Sequence, residues 1–169
     1  SEVLRRILPN YVKYLRANPD TLISKFFGCC ALKLYKKQLY FVVMENIFDT
    51  ENTIHERYDL KGSWVNRNAG SVSKGTKAYC RYCNAEYIVD VDKSQCRARP
   101  NRPHAPATVL KDNDLNFKMR LDDGRAHKLG MQLRKDALFL RDQGIMDYSL
   151  LLGVHRRKFR LPERGGARP

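Results

Sequence analysis

The sequence contains no apolar run of about 18 residues, so it offers no helix able to span a bilayer. Nor does it open on a basic stretch followed by a short apolar core, the pattern of a secretory signal. Five cysteines, two of them adjacent as Cys29 and Cys30, do not make the paired framework of a small secreted domain. These absences lead us to expect a cytoplasmic chain with reduced thiols, peripheral at any membrane it meets. Acidic residues are scarce too: 18 Asp and Glu stand against 32 Lys and Arg, a formal charge of +14. That excess favours anionic partners, whether nucleotides, nucleic acid or the anionic face of a membrane. The basic residues are dispersed rather than interleaved with aromatics, so no nucleic-acid stacking platform is expected. A 43% hydrophobic share argues for a folded protein, and 169 residues suffice for one domain burying roughly 70% of its unfolded surface.

Two stretches concentrate the chemistry. In Gly144 to His155 a single carboxylate, Asp147, interrupts an apolar run rich enough to be a buried strand. An ionised carboxylate buried there requires partners or a task; the alternative is an Asp at a strand end that shapes a turn. In Tyr58 to Ser63, an acid (Asp59), a base (Lys61) and a hydroxyl fall within five residues beside Gly62. Lys61 is a point charge on a long stem, suited to a nucleotide phosphate, and Arg67 adds a planar donor fork for carboxylate or phosphate. Ordinary surface ion pairs are the alternative for these three.

Periodicity supplies the frame. Val3, Leu4, Ile7, Leu8, Tyr11, Val12 and Leu15 recur at helical steps over residues 2–15, with Pro9 expected to kink or break the helix. Asn18-Pro19-Asp20 reads as a turn and a second helix start. Runs 31–35 and 39–44, joined by Lys36-Lys37-Gln38, predict an antiparallel hairpin. A strand is expected over 57–61, and a helix over about 125–143 with core-facing leucines, ended by Gly144. The basic, then Pro/Gly-rich tail over 156–169 is expected to fray.

Residues 71–106 stand apart. Ser71 to Lys77 is small, polar and basic, which predicts a loop. Cys80, Cys83, Cys96 and His104 follow with the spacing C-x2-C-x12-C-x7-H, three thiolates and an imidazole that could complete a tetrahedral zinc site. Free thiols in a flexible insert, or a redox pair, are the other readings.

Asp59-Leu60-Lys61-Gly62-Ser63 and Met146-Asp147-Tyr148-Ser149-Leu150-Leu151 together resemble the two signature motifs of the phosphatidylinositol phosphate kinases, in the family's order. Similarity also runs through Ile7-Leu8-Pro9, Lys25-Phe26-Phe27-Gly28, Val42 to Asn46 and Leu110 to Leu115. It covers most of the chain except roughly 71–106 and the last dozen residues. The resemblance implies an α+β fold: an antiparallel sheet with flanking helices, the central part of an incomplete two-lobed lipid-kinase domain. Helix 2–15 and the hairpin would belong to the N-terminal lobe, helix 125–143 and the Asp147 strand to the C-terminal one. The implied activity is ATP- and Mg2+-dependent phosphorylation of an inositol hydroxyl of a phosphatidylinositol phosphate in anionic membranes, first of all as a 4-phosphate 5-kinase.

Within that implication Asp147 orients or deprotonates the hydroxyl, Lys61 ligates ATP phosphate, and Asp59 holds Lys61 or a nearby base. Val43, Met44, Glu45 and Asn46 would lie against the adenine, and Arg67 would meet lipid phosphate. Glu2 is a candidate partner for a nucleotide lysine upstream of this chain. The glycine-rich loop, further metal-binding carboxylates and the activation segment are expected to flank the part seen here. The piece alone is therefore expected to be weakly active or inactive. Two other classes remain: a degenerate, non-catalytic membrane-binding kinase module, and a zinc-containing nucleic-acid binder.

Overall fold

The computed structural model describes residues 2–157. The expected tail falls mostly outside these residues. The chain forms two compact units: one runs up to Thr50 and includes Asn116–Tyr148, the other comprises Glu51–Leu115 and the chain from Ser149. The architecture is α+β, as expected, with two α-helices and, among the described residues, three separate two-stranded antiparallel sheets.

In the first unit, helix α1 spans Glu2–Ala17 and runs unbroken through Pro9, against expectation. A proline inside a helix costs about 3 kcal/mol, but here tertiary contacts on the following turns oppose that cost. Tyr11 is buried and its ring stacks on Phe26 at 5.2 Å, while Tyr14 stacks on Phe139 at 4.1 Å. The second helix start expected at Asn18 does not form. Instead the segment closes the expected turn, the Thr21 amide donating to the Asn18 carbonyl, and goes no further: Asn18 Nδ2 donates back to the Tyr14 carbonyl and the Leu22 amide to the Asp136 carboxylate. The Tyr11 hydroxyl completes the link, donating to the Ser24 carbonyl and accepting from the Phe26 amide.

Strand β1 (Phe26–Leu34) pairs with β2 (Lys37–Met44) in a longer hairpin than the sequence suggested. Its turn is only Tyr35-Lys36, both with positive φ (46° and 65°), the left-handed pair that matches the twist of a two-residue hairpin. Helix α2 (Asp123–Asp142) starts on the Asp122 cap and packs on α1 rather than sharing a unit with the strand that follows Asp147. Of its expected core-facing residues, Leu133, Ala137 and Leu140 are half-buried while Leu129 and Leu138 are exposed, and its one fully buried residue is Asp136.

In the second unit, β3 (Glu56–Leu60) pairs with β6 (Leu150–Val154), Leu60 opposite Leu150 and Glu56 opposite Val154. On its other edge β3 meets Leu110, whose carbonyl accepts from the Asp59 amide at 2.8 Å. The insert over 71–106 is a small β unit. β4 (Lys77–Tyr79) pairs with β5 (Glu86–Ile88) over a cluster of Cys80, Tyr87, Val89 and Cys96. The polar stretch before β4 turns at Ser73–Thr76, and the Gly75 amide donates to the Val89 carbonyl.

Candidate active site

The Lys61-Gly62 corner closes strand β3, and a carboxylate that spacing alone did not single out fixes its shape. Asp112, in the 3-10 turn Asp112–Asp114, accepts the Lys61 amide (2.9 Å) and the Gly62 amide (2.8 Å) on one oxygen. Its other oxygen accepts Arg67 Nε at 2.7 Å. Arg67 also reaches back to Asp59, donating to its carbonyl and lying 3.3 Å from its carboxylate. The corner is therefore a closed ring of Asp59, Arg67, Asp112 and two backbone amides. Gly62 takes φ 69°, the left-handed turn that lets both amides face one oxygen. Burial would push the Asp112 carboxyl up, but the Arg67 guanidinium and the two amides outweigh it and hold it at about 2.

The same 3-10 turn holds the loop beyond the corner. Asp114 accepts the Ala69 amide, and Asn113 donates its side-chain amide to the Trp64 carbonyl while its own N–H meets the Arg67 carbonyl. The signal for Asp112 was present in the run Leu110 to Leu115, noted only as family similarity. Nothing in its spacing showed that it would reach back some fifty residues.

Arg67, expected at lipid phosphate, has its guanidinium engaged inside this ring, with its side chain only 13% exposed. Asp59 holds Arg67 as its nearby base. Lys61 itself is exposed. Both Asp112 oxygens are taken by protein donors and Asp59 faces Arg67, so the corner does not fit a magnesium ligand set.

Asp147 does not sit inside a buried strand. It is exposed in the bend before β6, with φ 58°, and the strand begins only at Leu150. Aspartate is among the few side chains that tolerate this left-handed backbone. Asp147 belongs to the first unit and the Lys61 corner to the second. Val43 and Met44 end β2, Glu45 pairs with Lys25 at 3.4 Å, and Asn46 accepts the Phe48 amide. Glu2 opens α1 in its first turn.

The four insert residues do converge. One ligand atom from each of Cys80, Cys83, Cys96 and His104 lies within 4.8 Å of every other. The Cys80 and Cys96 sulfurs are 3.7 Å apart, and Cys83 Sγ lies 3.5 Å from His104 Nδ1. Burial pushes the Cys80 thiol up, yet the backbone amides at Ala105, Tyr82 and Cys83 and the His104 ring bring it down to about 6.

Set beside known proteins, this arrangement falls in one family. The Phosphatidylinositol-4-phosphate 5-Kinase family profile matches residues 1–167, further at both the insert and the tail than the motifs alone suggested. The chain belongs to that family. It is 39% identical over 157 residues to phosphatidylinositol 4-phosphate 5-kinase 9 of Arabidopsis thaliana, covering 92% of this chain and 16% of the relative. It is 35% identical over 161 residues to kinase 6 of the same plant (94% and 19%), and 34% over 162 residues to kinase 1 of Oryza sativa subsp. japonica (95% and 16%). The chain thus spans less than a fifth of the length of these curated relatives. No helix among the described residues is long and apolar enough to cross a membrane.

Proposed function

We propose that this chain is the central part of a phosphatidylinositol phosphate kinase, one that transfers the γ-phosphoryl of ATP to an inositol hydroxyl of phosphatidylinositol 4-phosphate at an anionic membrane. The observation that carries the reading is the closed corner of Asp59, Arg67 and Asp112 under Lys61, in a chain that matches this family from end to end.

Phosphoryl transfer demands mainly positioning and charge neutralisation. Lys61 supplies a positive charge to ATP phosphate from a corner whose backbone cannot shift without breaking two amide bonds to Asp112, itself held by Arg67. Arg67 and Asp59 act as positioning residues beneath it, and their ring replaces the direct phosphate contact first expected of Arg67. Asp147 accepts or orients the proton of the attacking hydroxyl, and its bent backbone aims the carboxylate. The segment Val43 to Asn46, where β2 ends, meets the adenine through its backbone. Magnesium, when bound, neutralises phosphate charge; no residue of this chain is assigned to it. The +14 charge holds the protein on anionic lipid, each basic side chain near the surface adding about 1 kcal/mol.

The test is ATP-dependent phosphate transfer to phosphoinositide vesicles by the full-length protein and by its Asp147→Asn variant. Transfer is expected from the first and less than a tenth of it from the second. A variant above that level removes Asp147 from catalysis. Vesicle binding with no transfer by either protein replaces the kinase with a non-catalytic membrane module.

A further inference from the structure

We propose that the insert is a zinc module: Cys80, Cys83, Cys96 and His104 hold one structural Zn2+, and the module braces the root of β3. Two of the six ligand–ligand edges match the ion, and the rest fall within 4.8 Å. With Zn–S near 2.3 Å and Zn–N near 2.0–2.1 Å, a tetrahedral site has sulfur–sulfur edges of about 3.8 Å and sulfur–nitrogen edges of about 3.5 Å. The edges found are 3.7 Å for Cys80–Cys96 and 3.5 Å for Cys83–His104.

The backbone is shaped to present these atoms. Cys80 to Ala85 is a tight turn in which the Asn84 amide donates to the Cys80 carbonyl and the Cys80 amide to the Ala85 carbonyl. Asn84 takes φ 56° just past the second cysteine, where the turn closes back onto Cys80. The second pair comes from another turn: the Cys96 amide donates to the Arg102 carbonyl, and Gln95 bridges Pro103 next to His104. His104 Nε2 lies 3.2 Å from Ser94 Oγ, and its ring stacks on Tyr87 at 4.9 Å. A hydroxyl partner on Nε2 leaves the Nδ1 lone pair to the cluster, the outer-shell arrangement that orients metal-binding histidines.

Packing makes the same point. Cys80 and Cys96 are each 1% exposed and, with Tyr87 and Val89, form the insert's whole buried core. A β unit this small cannot supply a sufficient hydrophobic core, and units of that size are commonly closed by a metal. Three thiolates and an imidazole on two knuckle-like turns are a ligand set suited to zinc.

The module is strapped to the strand that carries the kinase corner. Tyr82, inside the first turn, donates its hydroxyl to Glu56 at 2.8 Å, and Arg99 lies over the Tyr82 ring at 3.9 Å. Glu56 is the first residue of β3, is 5% exposed, and also holds Arg156 through two bonds of 2.8 Å. From the same turn Arg81 donates to the Pro106 carbonyl and the Thr108 hydroxyl, fixing the return path toward Leu110. Closing the cluster therefore sets Tyr82 and Arg81, which hold the first residue of β3 and the segment leading to Leu110, the two stretches that meet at the Asp59 amide.

The experiment measures metal in the full-length protein, purified with zinc in the buffers and then dialysed without chelator. One equivalent of zinc per chain is expected, falling below a tenth in Cys83→Ser. Should that variant fail to fold, cobalt exchange into the wild-type protein gives the second readout, the visible spectrum of a tetrahedral thiolate site. Less than a tenth of an equivalent in the wild type, iron in place of zinc, or a Cys80–Cys96 disulfide overturns the site. For the brace, chelation should speed hydrogen exchange at the Asp59 and Leu110 amides at least tenfold, and Tyr82→Phe should do so with zinc retained. Unchanged exchange in both overturns the brace.

Discussion

Asp136 gives the sharpest test of how the first unit is held. Its carboxylate is 5% exposed on α2 and accepts four donors: the Tyr14 hydroxyl (2.7 Å), the Thr21 hydroxyl (2.6 Å), Gln132 Nε2 (2.8 Å) and the Leu22 amide (2.8 Å). Asp136→Ala strands all four. Leu22 is exposed and Gln132 has a long, flexible side chain, so these two donors can reach water at little cost. The two half-buried hydroxyls cannot, and an unmet donor of this kind costs about 1–3 kcal/mol. The expected loss is about 3 kcal/mol, a fall in Tm of roughly 6–12 °C at the 2–4 °C per kcal/mol typical of a domain this size. Asp136→Asn is the finer perturbation. Its one carbonyl can serve the hydroxyls, but its NH2 then faces the Leu22 N–H, and about 1–2 kcal/mol should be lost. Thermal and denaturant unfolding of both variants measures the effect. If both fall within 0.5 kcal/mol of wild type, the carboxylate is a solvated surface acid and α1 is held to α2 by the Tyr14–Phe139 stack and the Asn10–Gln143 bond.

Glu56 should make the second unit acid-sensitive. Burial pushes its carboxyl up, but Arg156, Tyr82 and Tyr58 outweigh that and lower it. A depressed folded-state value means the stability is fully present above the ordinary carboxylate range and is lost as the pH falls through the depressed one. Glu56→Gln should therefore flatten the acid limb of unfolding, and an unchanged limb refutes the assignment. Gly62→Ala should cost about 1–2 kcal/mol, because a side chain is strained at φ 69° although nothing lies within 4 Å of it. Gly62→Asn should cost less, and equal stability of all three proteins denies the left-handed corner. Pro9→Ala should raise stability by at least about 1 kcal/mol, since α1 already runs through this position; a loss shows that the ring itself packs.

What was legible in the sequence was what local pattern controls. Both helices, the hairpin and the β3 strand lie near where the local pattern put them, because a repeating step marks the type of element even where, as on β2, the apolar residues stay exposed. The convergence of Cys80, Cys83, Cys96 and His104 was legible too, since a C-x2-C turn places two sulfurs locally and leaves only two partners to find. Asp136 and Asp112 escaped for the opposite reason. Each is an acid in a polar stretch, indistinguishable in sequence from a solvated one, and its partners lie about 115 and fifty residues away.

The misplaced expectations share that cause. Leu129 and Leu138 look like core on spacing, yet they are exposed, and the half-buried Leu133, Ala137 and Leu140 surround a carboxylate that is the most buried group of the helix. Arg67 looks like a free phosphate fork until Asp112 appears beside it. Burying a charged group is unfavourable unless each lone pair and N–H finds a partner, so a hub of this kind tolerates few arrangements and specifies one. In this chain the two hubs do what large apolar cores do elsewhere. Asp136 fixes how α1 meets α2, and Asp112 fixes the corner that carries Lys61. Exchanging Asp112 for Asn tests that logic at the corner. One amide cannot accept both the Gly62 N–H and the Arg67 guanidinium on opposite sides, so Lys61 should lose its fixed mount while its charge remains. The expected signature is weakened ATP binding in the full-length protein with vesicle binding unchanged. Equal ATP affinity would mean that the corner's shape is not what Lys61 depends on.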